Sequence, residues 1–145
     1  MIRYLDPNDF DMWSNIYEAY AEFYKVPMNK KILNNLWTWI QDESHVVKGI
    51  CYQLDNKIVG IAHYRTMPRP ITGQYIGFLD DLFVLPKFRG QKIAQKLIDY
   101  LRSLSKANNW GGIRWITHSS NENAKKLYNK IANNTGFELY ELKRD

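Results

Sequence analysis

Two adjacent carboxylates interrupt an apolar run in the middle of the chain. Asp80 and Asp81 lie inside the segment LDDLFV, residues 79–84, which otherwise has the composition of a buried strand. Neighbouring residues of a strand point to opposite faces, so the two side chains cannot both face solvent if the strand is central. A buried carboxylate is costly unless it is paired or performs chemistry. The pair therefore indicates either a base that accepts a proton or a buried ion pair with an arginine or lysine.

A basic turn follows this strand. Arg89 and Gly90 come shortly after Pro86. Lys92 is predicted in the first turn of a helix, because the apolar residues that follow recur every three to four positions. The free N–H groups and the dipole of a helix N-terminus suit a phosphate. The pattern predicts a cofactor with a diphosphate group on this turn, although a plain strand–turn–helix with a solvated basic turn would show the same residues.

Periodicity and turn residues place both features in an α/β chain. Strands are predicted at 2–5, 46–54, 57–66, around 79–84, at 113–117 and at 137–142, and helices at 10–24, 30–40, from the basic turn to about 107, and at 121–131. Residues 67–73 contain two prolines and a glycine and are predicted to be a loop. The order β-αα-β-β-β-α-β-α-β indicates a three-layer α/β arrangement with a mixed sheet.

The bulk composition limits the function classes. The 145 residues suit one domain, 1–145, and the formal net charge of +5 is spread along the chain. Nucleic-acid binding is therefore possible but not indicated. The excess of positive charge would suit a polyanionic cofactor equally well. We also expect no membrane span and no signal peptide. The single cysteine, Cys51, favours a reducing cytoplasm, and the three histidines lack metal-ligand spacing, so no metal site is predicted.

Two sequence blocks in the right order carry a family resemblance. The strand LDDLFV with the turn RGQKIA is the first, and the segment 121–128, NENAKKLY, with Gly136-Phe137 is the second. Together with the order of elements, they resemble the GCN5-related N-acetyltransferase (GNAT) superfamily. The segment 129–135 is similar to a branch that acetylates small amines such as polyamines, and sometimes histones. The resemblance implies an α/β/α sandwich whose mixed sheet splays at its centre.

The resemblance also implies how acetyl-CoA is bound. Backbone groups of the central strand would pair with the pantetheine arm, and the turn and the start of its helix would bind the pyrophosphate. Lys92 stands where the family usually has glycine; because lysine is a good helix former, we expect the turn to form all the same. The implied cofactor-binding residues are Leu82, Phe83, Val84, Arg89, Gly90, Gln91, Lys92, Ile93, Ala94, Gln95, Asn121, Ala124 and Tyr128.

The same resemblance suggests catalytic roles. Tyr128 would protonate the departing thiolate, because a phenol with a pKa near 10 matches a thiolate of somewhat lower pKa. Asp80 would accept the proton of the amine, and Asp81 would be a structural or substrate-binding charge. Tyr24 and Trp37 would contribute to an aromatic wall for a cationic amine. The alternatives are that Tyr128 and the aromatics face the core, and that Asn121 is simply a helix N-cap.

The predicted activity is transfer of an acetyl group from acetyl-CoA to a primary amine by direct attack in a ternary complex. A small amine, such as a polyamine or an amino acid, is the favoured acceptor. The alternatives are acetylation of a protein or peptide, and a catalytically silent module that binds CoA or a partner. Since members of the family often pair through their last strands, a homodimer is also expected.

Overall fold

A computed structural model describes residues 1–144. Its strands are β1 (Ile2–Tyr4), β2 (Val47–Leu54), β3 (Lys57–Arg69), β4 (Gln74–Val84) and β5 (Ile113–Trp115). Its helices are α1 (Phe10–Tyr24), α2 (Lys30–Gln41), α3 (Ile93–Ala107) and α4 (Glu122–Ile131). The strands form one sheet in the order β1-β2-β3-β4-β5, in which β4 and β5 run parallel and the other neighbours antiparallel. The predicted α/β class with a mixed sheet is confirmed.

Two apolar cores cover the two faces of the sheet. The strands β2 and β3 supply both cores, because their successive residues point to opposite faces. Helix α3, with α4 beside it, packs on one face, where the buried residues include Ile50, Val59, Leu97, Ile98 and Leu101. Helices α1 and α2 pack on the other, where the buried residues include Trp13, Ile16, Leu33, Ile40, Cys51 and Ile61. The chain therefore has the three layers that its sequence predicts.

The strands β4 and β5 separate in the middle of the sheet. Their ladder contains the pairs Gly77–Ile113, Phe78–Arg114 and Leu79–Trp115. Beyond Leu79, β4 continues to Val84, while β5 has ended at Trp115. Among residues 1–144, this edge of β4 therefore has no strand partner after Leu79. The splayed sheet is confirmed.

Strand β3 runs further than its sequence indicates. It includes Met67, Pro68 and Arg69, and only the 3-10 turn Pro70–Thr72 and Gly73 separate it from β4. The prediction of a loop from residue 67 is wrong. The reason is that β2 begins opposite Arg65, so the end of β3 has an open edge on that side. A proline is tolerated on such an edge, because it removes no hydrogen bond from the ladder.

The predicted last strand, residues 137–142, is not formed. The chain after α4 has no regular secondary structure up to residue 144, and the side chains of Phe137 and Leu142 are 79% and 98% exposed. The alternation of apolar and polar residues in this segment fits a strand, but a strand needs a partner edge. β5 offers only three residues for pairing. The observed order therefore ends at α4.

A buried ion pair connects β1 to the start of α1. The Arg3 guanidinium donates from Nη1 to Asp9 Oδ2 at 2.6 Å and from Nη2 to Asp9 Oδ1 at 3.0 Å. The Asp9 side chain is only 5% exposed, whereas that of Arg3 is 26% exposed. The hydrogen bond from Arg3 holds the pKa of Asp9 below its ordinary value, although burial alone would raise it. The pair therefore favours the charged carboxylate at neutral pH.

We expect Asp9→Asn to lower the free energy of unfolding by about 2 kcal/mol at pH 7, because it leaves the Arg3 charge without its partner. Since the pKa of Asp9 is lowered in the fold, the stabilisation is present above the ordinary value of 3.8 and is lost as the pH falls below it. The difference between variant and wild type should therefore shrink in acid. Urea unfolding at pH 7 and pH 3 measures it, with Asp11→Asn on the exposed face of α1 as the matched control. A constant difference at both pH values would contradict this account of the pair.

Candidate active site

A β-bulge brings both central carboxylates into one cleft. His63 of β3 pairs with Asp81 of β4, but the next residue, Tyr64, pairs with Leu79. Asp80 is therefore the extra residue of the bulge, and the usual alternation of side chains is broken at this point. Asp80 and Asp81 line the same cavity. The expectation that they point to opposite faces is wrong, and the bulge is the reason.

Asp81 is held as a charged carboxylate by hydrogen bonds from two side chains, Tyr17 and His63. Its Oδ2 accepts hydrogen bonds from Tyr17 Oη at 2.9 Å and from His63 Nδ1 at 2.8 Å. Trp13 donates from Nε1 to His63 Nε2 at 2.9 Å. An indole nitrogen can only donate, so His63 Nε2 must accept, and the ring proton lies on Nδ1, facing Asp81. This network fixes a neutral His63 beside an ionised Asp81.

The pKa of Asp81 is below its ordinary value. Burial works to raise it, but the hydrogen bond from His63, with hydrogen bonds from Tyr20 and Tyr17, outweighs burial. The pKa values of Tyr17 and Tyr20 are raised, by burial first and by the Asp81 charge second, so both phenols keep their protons. Asp81 is therefore a permanent negative charge at neutral pH.

Asp80 has the opposite electrostatic character. Its side chain is 33% exposed, and its Oδ2 accepts a hydrogen bond from Arg65 Nε at 3.0 Å. Burial raises the pKa of Asp80 above its ordinary value, and the charge of Asp81 adds to this effect, although Arg65 acts against it. The two neighbouring carboxylates therefore differ in proton affinity: Asp80 takes up a proton more readily than Asp81. Pairs of groups whose pKa values are pushed apart are typical of acid–base sites.

The acceptor cleft, as we call this cavity, has a volume of about 430 Å³ and lies between α1, α2 and the strands. Its charged residues are Asp80, Asp81 and Arg65. Its apolar wall consists of Ile32, Leu36, Trp39 and Val47, and it is completed by Tyr17, Asn35 and His63. One cleft thus combines two carboxylates, one guanidinium and an apolar surface, which suits a small polar molecule.

A second, more open depression of about 500 Å³ lies at the other end of β3 and β4. Residues from Gly73 to Tyr75 and from Asn108 to Trp110 line it, together with Thr66. It is the larger of the two, but none of its lining side chains is charged at neutral pH. Because acid–base chemistry needs ionisable groups, the acceptor cleft is the candidate active site.

The aromatic residues predicted to contact substrate lie elsewhere. Trp37 packs in the core against Trp13, with ring centroids 4.8 Å apart. Tyr24 lies at the end of α1, where its hydroxyl is 3.5 Å from Asn121 Nδ2. The aromatic side chains that line the acceptor cleft are instead Tyr17, His63 and Trp39, of which Trp39 is 46% exposed. The alternative of a core-facing aromatic therefore describes Trp37.

The turn between β4 and α3 has a backbone suited to an anion. Gly90 and Lys92 have φ angles of 83° and 62°, in the left-handed region, and no side chain caps the N-terminus of α3. The first N–H groups of α3 therefore remain available to a ligand. A Cβ atom at Gly90 would meet nothing within 4 Å, so the turn is open on that side. The arrangement fits a pyrophosphate.

The sequence predicts Lys92 in the first turn of the helix, but the structure places it just before α3. It occupies the N-cap position of α3 with a left-handed backbone. A residue with a side chain pays about 1 kcal/mol for this conformation, which glycine adopts freely. The φ angle thus gives a physical reason for the glycine that the family usually has here. In this chain a lysine takes the same backbone and adds a positive charge.

Arg89 is fixed beside the turn. Its Nε donates to the carbonyl oxygen of Val84 at 3.1 Å, and its guanidinium lies 4.9 Å from the ring centroid of Phe23 and 5.2 Å from that of Phe83. The Phe83 side chain is buried and Val84 packs in the opposite core, so only their backbone groups can meet a ligand. Ile93 is likewise buried, while Gln91 is exposed and Ala94 and Gln95 are half-buried.

Tyr128 lies where β4 and β5 separate. Its ring makes an edge contact with Trp115, the last residue of β5, at 5.3 Å between centroids. Burial, with a smaller effect of Tyr24, raises the pKa of Tyr128 to about 12. No residue of 1–144 forms a hydrogen bond with its hydroxyl. The phenol therefore keeps its proton at neutral pH and can donate it.

Asn121 caps α4 and also contacts α1. Its Oδ1 accepts from the backbone N–H of Ala124 at 3.4 Å, while its Nδ2 lies 3.4 Å from Thr117 Oγ1, besides its contact with Tyr24. The N-cap alternative for Asn121 is thus observed. The contact with Tyr24 joins the end of α1 to the start of α4, near Tyr128.

Sequence reasoning missed the connections of His63 and Arg65. Residues 61–65 of β3 alternate between the two faces, so His63 and Arg65 share the face that turns toward α1 and α2. That alternation could have placed both beside the carboxylates. The hydrogen bond from Trp13 to His63 had no signal in the sequence, because the two residues are 50 positions apart.

Within residues 1–144, no three histidine, cysteine or acidic side chains are grouped in a way that could hold a metal ion. None of the described helices is both long and apolar enough to cross a membrane.

The chain is similar to known acetyltransferases over most of its length. The model of the acetyltransferase (GNAT) family matches residues 13–132. The D-amino-acid N-acetyltransferase HPA3 of Saccharomyces cerevisiae is 22% identical over 142 residues, which cover 97% of this chain and 88% of that protein.

Solved structures with the same fold cover almost the whole chain. The ribosomal-protein-alanine N-acetyltransferase from Brucella melitensis biovar Abortus 2308 has a TM-score of 0.84 and 23% identity, with 100% of this chain and 99% of that chain covered. The aminoglycoside N-acetyltransferase AAC(6')-Iy, solved in complex with a bisubstrate analogue of CoA, has a TM-score of 0.85 and 17% identity, with 100% and 98% covered. At these identities the likeness concerns the fold.

Proposed function

Because the chain belongs to the GNAT family of acetyltransferases, which use acetyl-CoA, we propose that it acetylates the primary amine of a small molecule bound in the acceptor cleft. One observation carries this choice of acceptor. The bulge in β4 turns two carboxylates with opposite pKa shifts into a cavity of about 430 Å³, which is large enough for a small molecule.

Asp81 and Asp80 divide the handling of the amine. Asp81, charged and held by His63 and Tyr17, binds the ammonium group and orients it. Asp80, whose pKa is raised, accepts the proton that the amine must lose before its lone pair can attack, directly or through a water. His63 positions Asp81 and takes no proton itself, since its Nε2 is occupied by Trp13.

Acetyl-CoA supplies an acyl thioester. Arg89, Lys92 and the N–H groups at the start of α3 would hold its pyrophosphate, and the edge of β4 at residues 82–84 would pair with its pantetheine arm. Tyr128 holds a proton at Oη at neutral pH and would give it to the sulfur. Asn121, when not bonded to Tyr24, has an amide N–H for the same ligand.

Two of the three relatives reported above support a small acceptor. The curated relative acts on D-amino acids by its name, and the structural neighbour AAC(6')-Iy acts on aminoglycosides. Both are small molecules with primary amines. A screen of amino acids, polyamines, aminoglycosides and basic peptides, read by release of free CoA thiol, tests the proposal. Turnover with a small amine supports it. Turnover with peptides alone would overturn the choice of acceptor class.

The charge and the backbone of Lys92 can be separated by two variants. Lys92→Gln removes the charge and keeps the strained backbone, so acetyl-CoA affinity should fall several-fold while stability stays the same. Lys92→Gly should lose the same affinity but gain up to about 1 kcal/mol in stability. Calorimetric titration with acetyl-CoA and urea unfolding measure the two effects. If the affinity of both variants equals that of wild type, the turn does not hold the pyrophosphate through Lys92.

We further propose a homodimer in the cytoplasm. The exposed apolar side chains after α4, Phe137, Leu139, Tyr140 and Leu142, have no covering element among residues 1–144, and β5 is an open edge of the sheet. A second copy could cover both. The buried thiol of Cys51, whose pKa burial raises to about 11, suits a reducing compartment. Light scattering of the full chain and of a chain ending at Gly136 tests the dimer.

A further inference from the structure

We infer that the amine acceptor is a free amino acid with an apolar side chain, whose carboxylate is bound by Arg65. The inference deepens the proposed function and rests on it. It starts from the mixed charge of the acceptor cleft: Arg65 is its only cation among residues 1–144, and it lies beside Asp80 and Asp81. A site for a polycation would have no use for this guanidinium, which repels a second ammonium group.

The geometry of Arg65 leaves its outer nitrogens free for a ligand. Only Nε is used, in the bond of 3.0 Å to Asp80 Oδ2. No residue of 1–144 accepts a hydrogen bond from Nη1 or Nη2. The guanidinium lies 5.0 Å from the ring centroid of Phe78, and this contact limits its rotation. A planar guanidinium with two free nitrogens binds a carboxylate by two parallel hydrogen bonds.

The neighbouring charges of the cleft match an amino acid. Asp80 and Asp81 are adjacent in β4, and Arg65 is hydrogen-bonded to Asp80. An amino acid carries its ammonium and carboxylate groups on one carbon atom, so it can reach a carboxylate and the neighbouring guanidinium at once. A peptide amine at a chain terminus or a polyamine lacks the second group.

The rest of the cleft is suited to an apolar side chain. Ile32, Leu36, Trp39 and Val47 line the same cavity as the three charged residues. Ile32 and Trp39 are 39% and 46% exposed, so their apolar surface is available to a ligand. Burial of a branched aliphatic side chain against such apolar surface favours binding. We therefore choose leucine as the probe.

The test compares three acceptors with the same apolar side chain: leucine, leucinamide and isoamylamine. They carry a carboxylate, a neutral amide and a hydrogen atom, respectively, at the same carbon atom, and leucine is tested as both enantiomers. We expect wild type to acetylate one enantiomer of leucine with a kcat/KM at least about 10-fold above leucinamide and isoamylamine, since a charge-assisted bond is lost with either. Arg65→Gln should bring this ratio close to one, mainly through a higher KM for leucine. Arg102→Gln, on the exposed side of α3, is the matched control and should leave the ratio unchanged.

The outcomes separate the inference from the proposed function. If wild type prefers isoamylamine, leucinamide or spermidine, or if Arg65→Gln keeps the preference for leucine, the inference is wrong while acetylation of a small amine stands. If no amine in this panel and no small amine of the earlier screen is acetylated, although acetyl-CoA binds in calorimetry, both are wrong.

Discussion

Replacing Tyr128 by phenylalanine is expected to lower kcat about 100-fold, with little change in KM for the amine. The substitution removes one oxygen atom, and with it the proton that a phenol holds at neutral pH. General acids contribute roughly 10²–10⁴-fold to the rates of such reactions. Steady-state release of free CoA thiol measures the effect.

The stability of Tyr128→Phe should equal that of wild type, because no residue of 1–144 shares a hydrogen bond with the hydroxyl and the contact with Trp115 involves only the ring. Thermal unfolding therefore separates a catalytic loss from a folding defect. Tyr75→Phe, at an exposed position of β4 far from α4, is the matched control and should keep full activity. An unchanged kcat in Tyr128→Phe would remove the phenol from the mechanism.

Asp80→Asn is expected to lower kcat/KM by about 100-fold and to change the shape of the pH profile. Burial raises the pKa of Asp80 above its ordinary value of 3.8, so wild type should lose activity as the pH falls through this raised pKa and the carboxylate takes up a proton. Asparagine cannot titrate. The residual activity of the variant should therefore lack this acidic limb, the fall in activity at low pH that protonation of Asp80 causes. The pH dependence that comes from the substrate amine should remain in both proteins.

The assignment of the base to Asp80 rather than Asp81 is tested in the same experiment. Asp81→Asn should raise KM for the amine and keep the acidic limb, since Asp80 is still present. Asp99→Asn, an exposed carboxylate of α3 that pairs with Arg102, is the matched control. If Asp81→Asn abolishes the limb and Asp80→Asn retains it, the proton acceptor is Asp81.

The parts of the fold that follow local rules were predictable. The period of apolar residues fixes α1 and α3, and the Asp55-Asn56 turn joins β2 to β3 as expected. The last strand failed because an alternating pattern shows only that a segment could pair. Whether Phe137 to Leu142 pairs depends on the edge that the rest of the sheet offers.

The site was less predictable than the fold, because it depends on departures from regular geometry. The position of Asp80 depends on one extra residue in β4 opposite His63, and a bulge of this kind has no marker in the residues themselves. The position of Lys92 was mispredicted for a related reason: helix propensity describes a helical backbone, whereas Lys92 adopts a left-handed one. The cluster of Trp13, His63 and Asp81 joins three elements, so only the folded chain brings it together.

The most direct test of acetyl transfer uses acetyl-CoA labelled with ¹³C at the acetyl carbonyl, the full chain and the best acceptor of the screen. The carbon signal is followed by NMR. We predict that the label moves from the thioester to an amide of the acceptor, at a rate that Asp80→Asn and Tyr128→Phe each reduce about 100-fold. A label that remains in the thioester, or that appears only as free acetate, would contradict the proposal that this chain acetylates an amine.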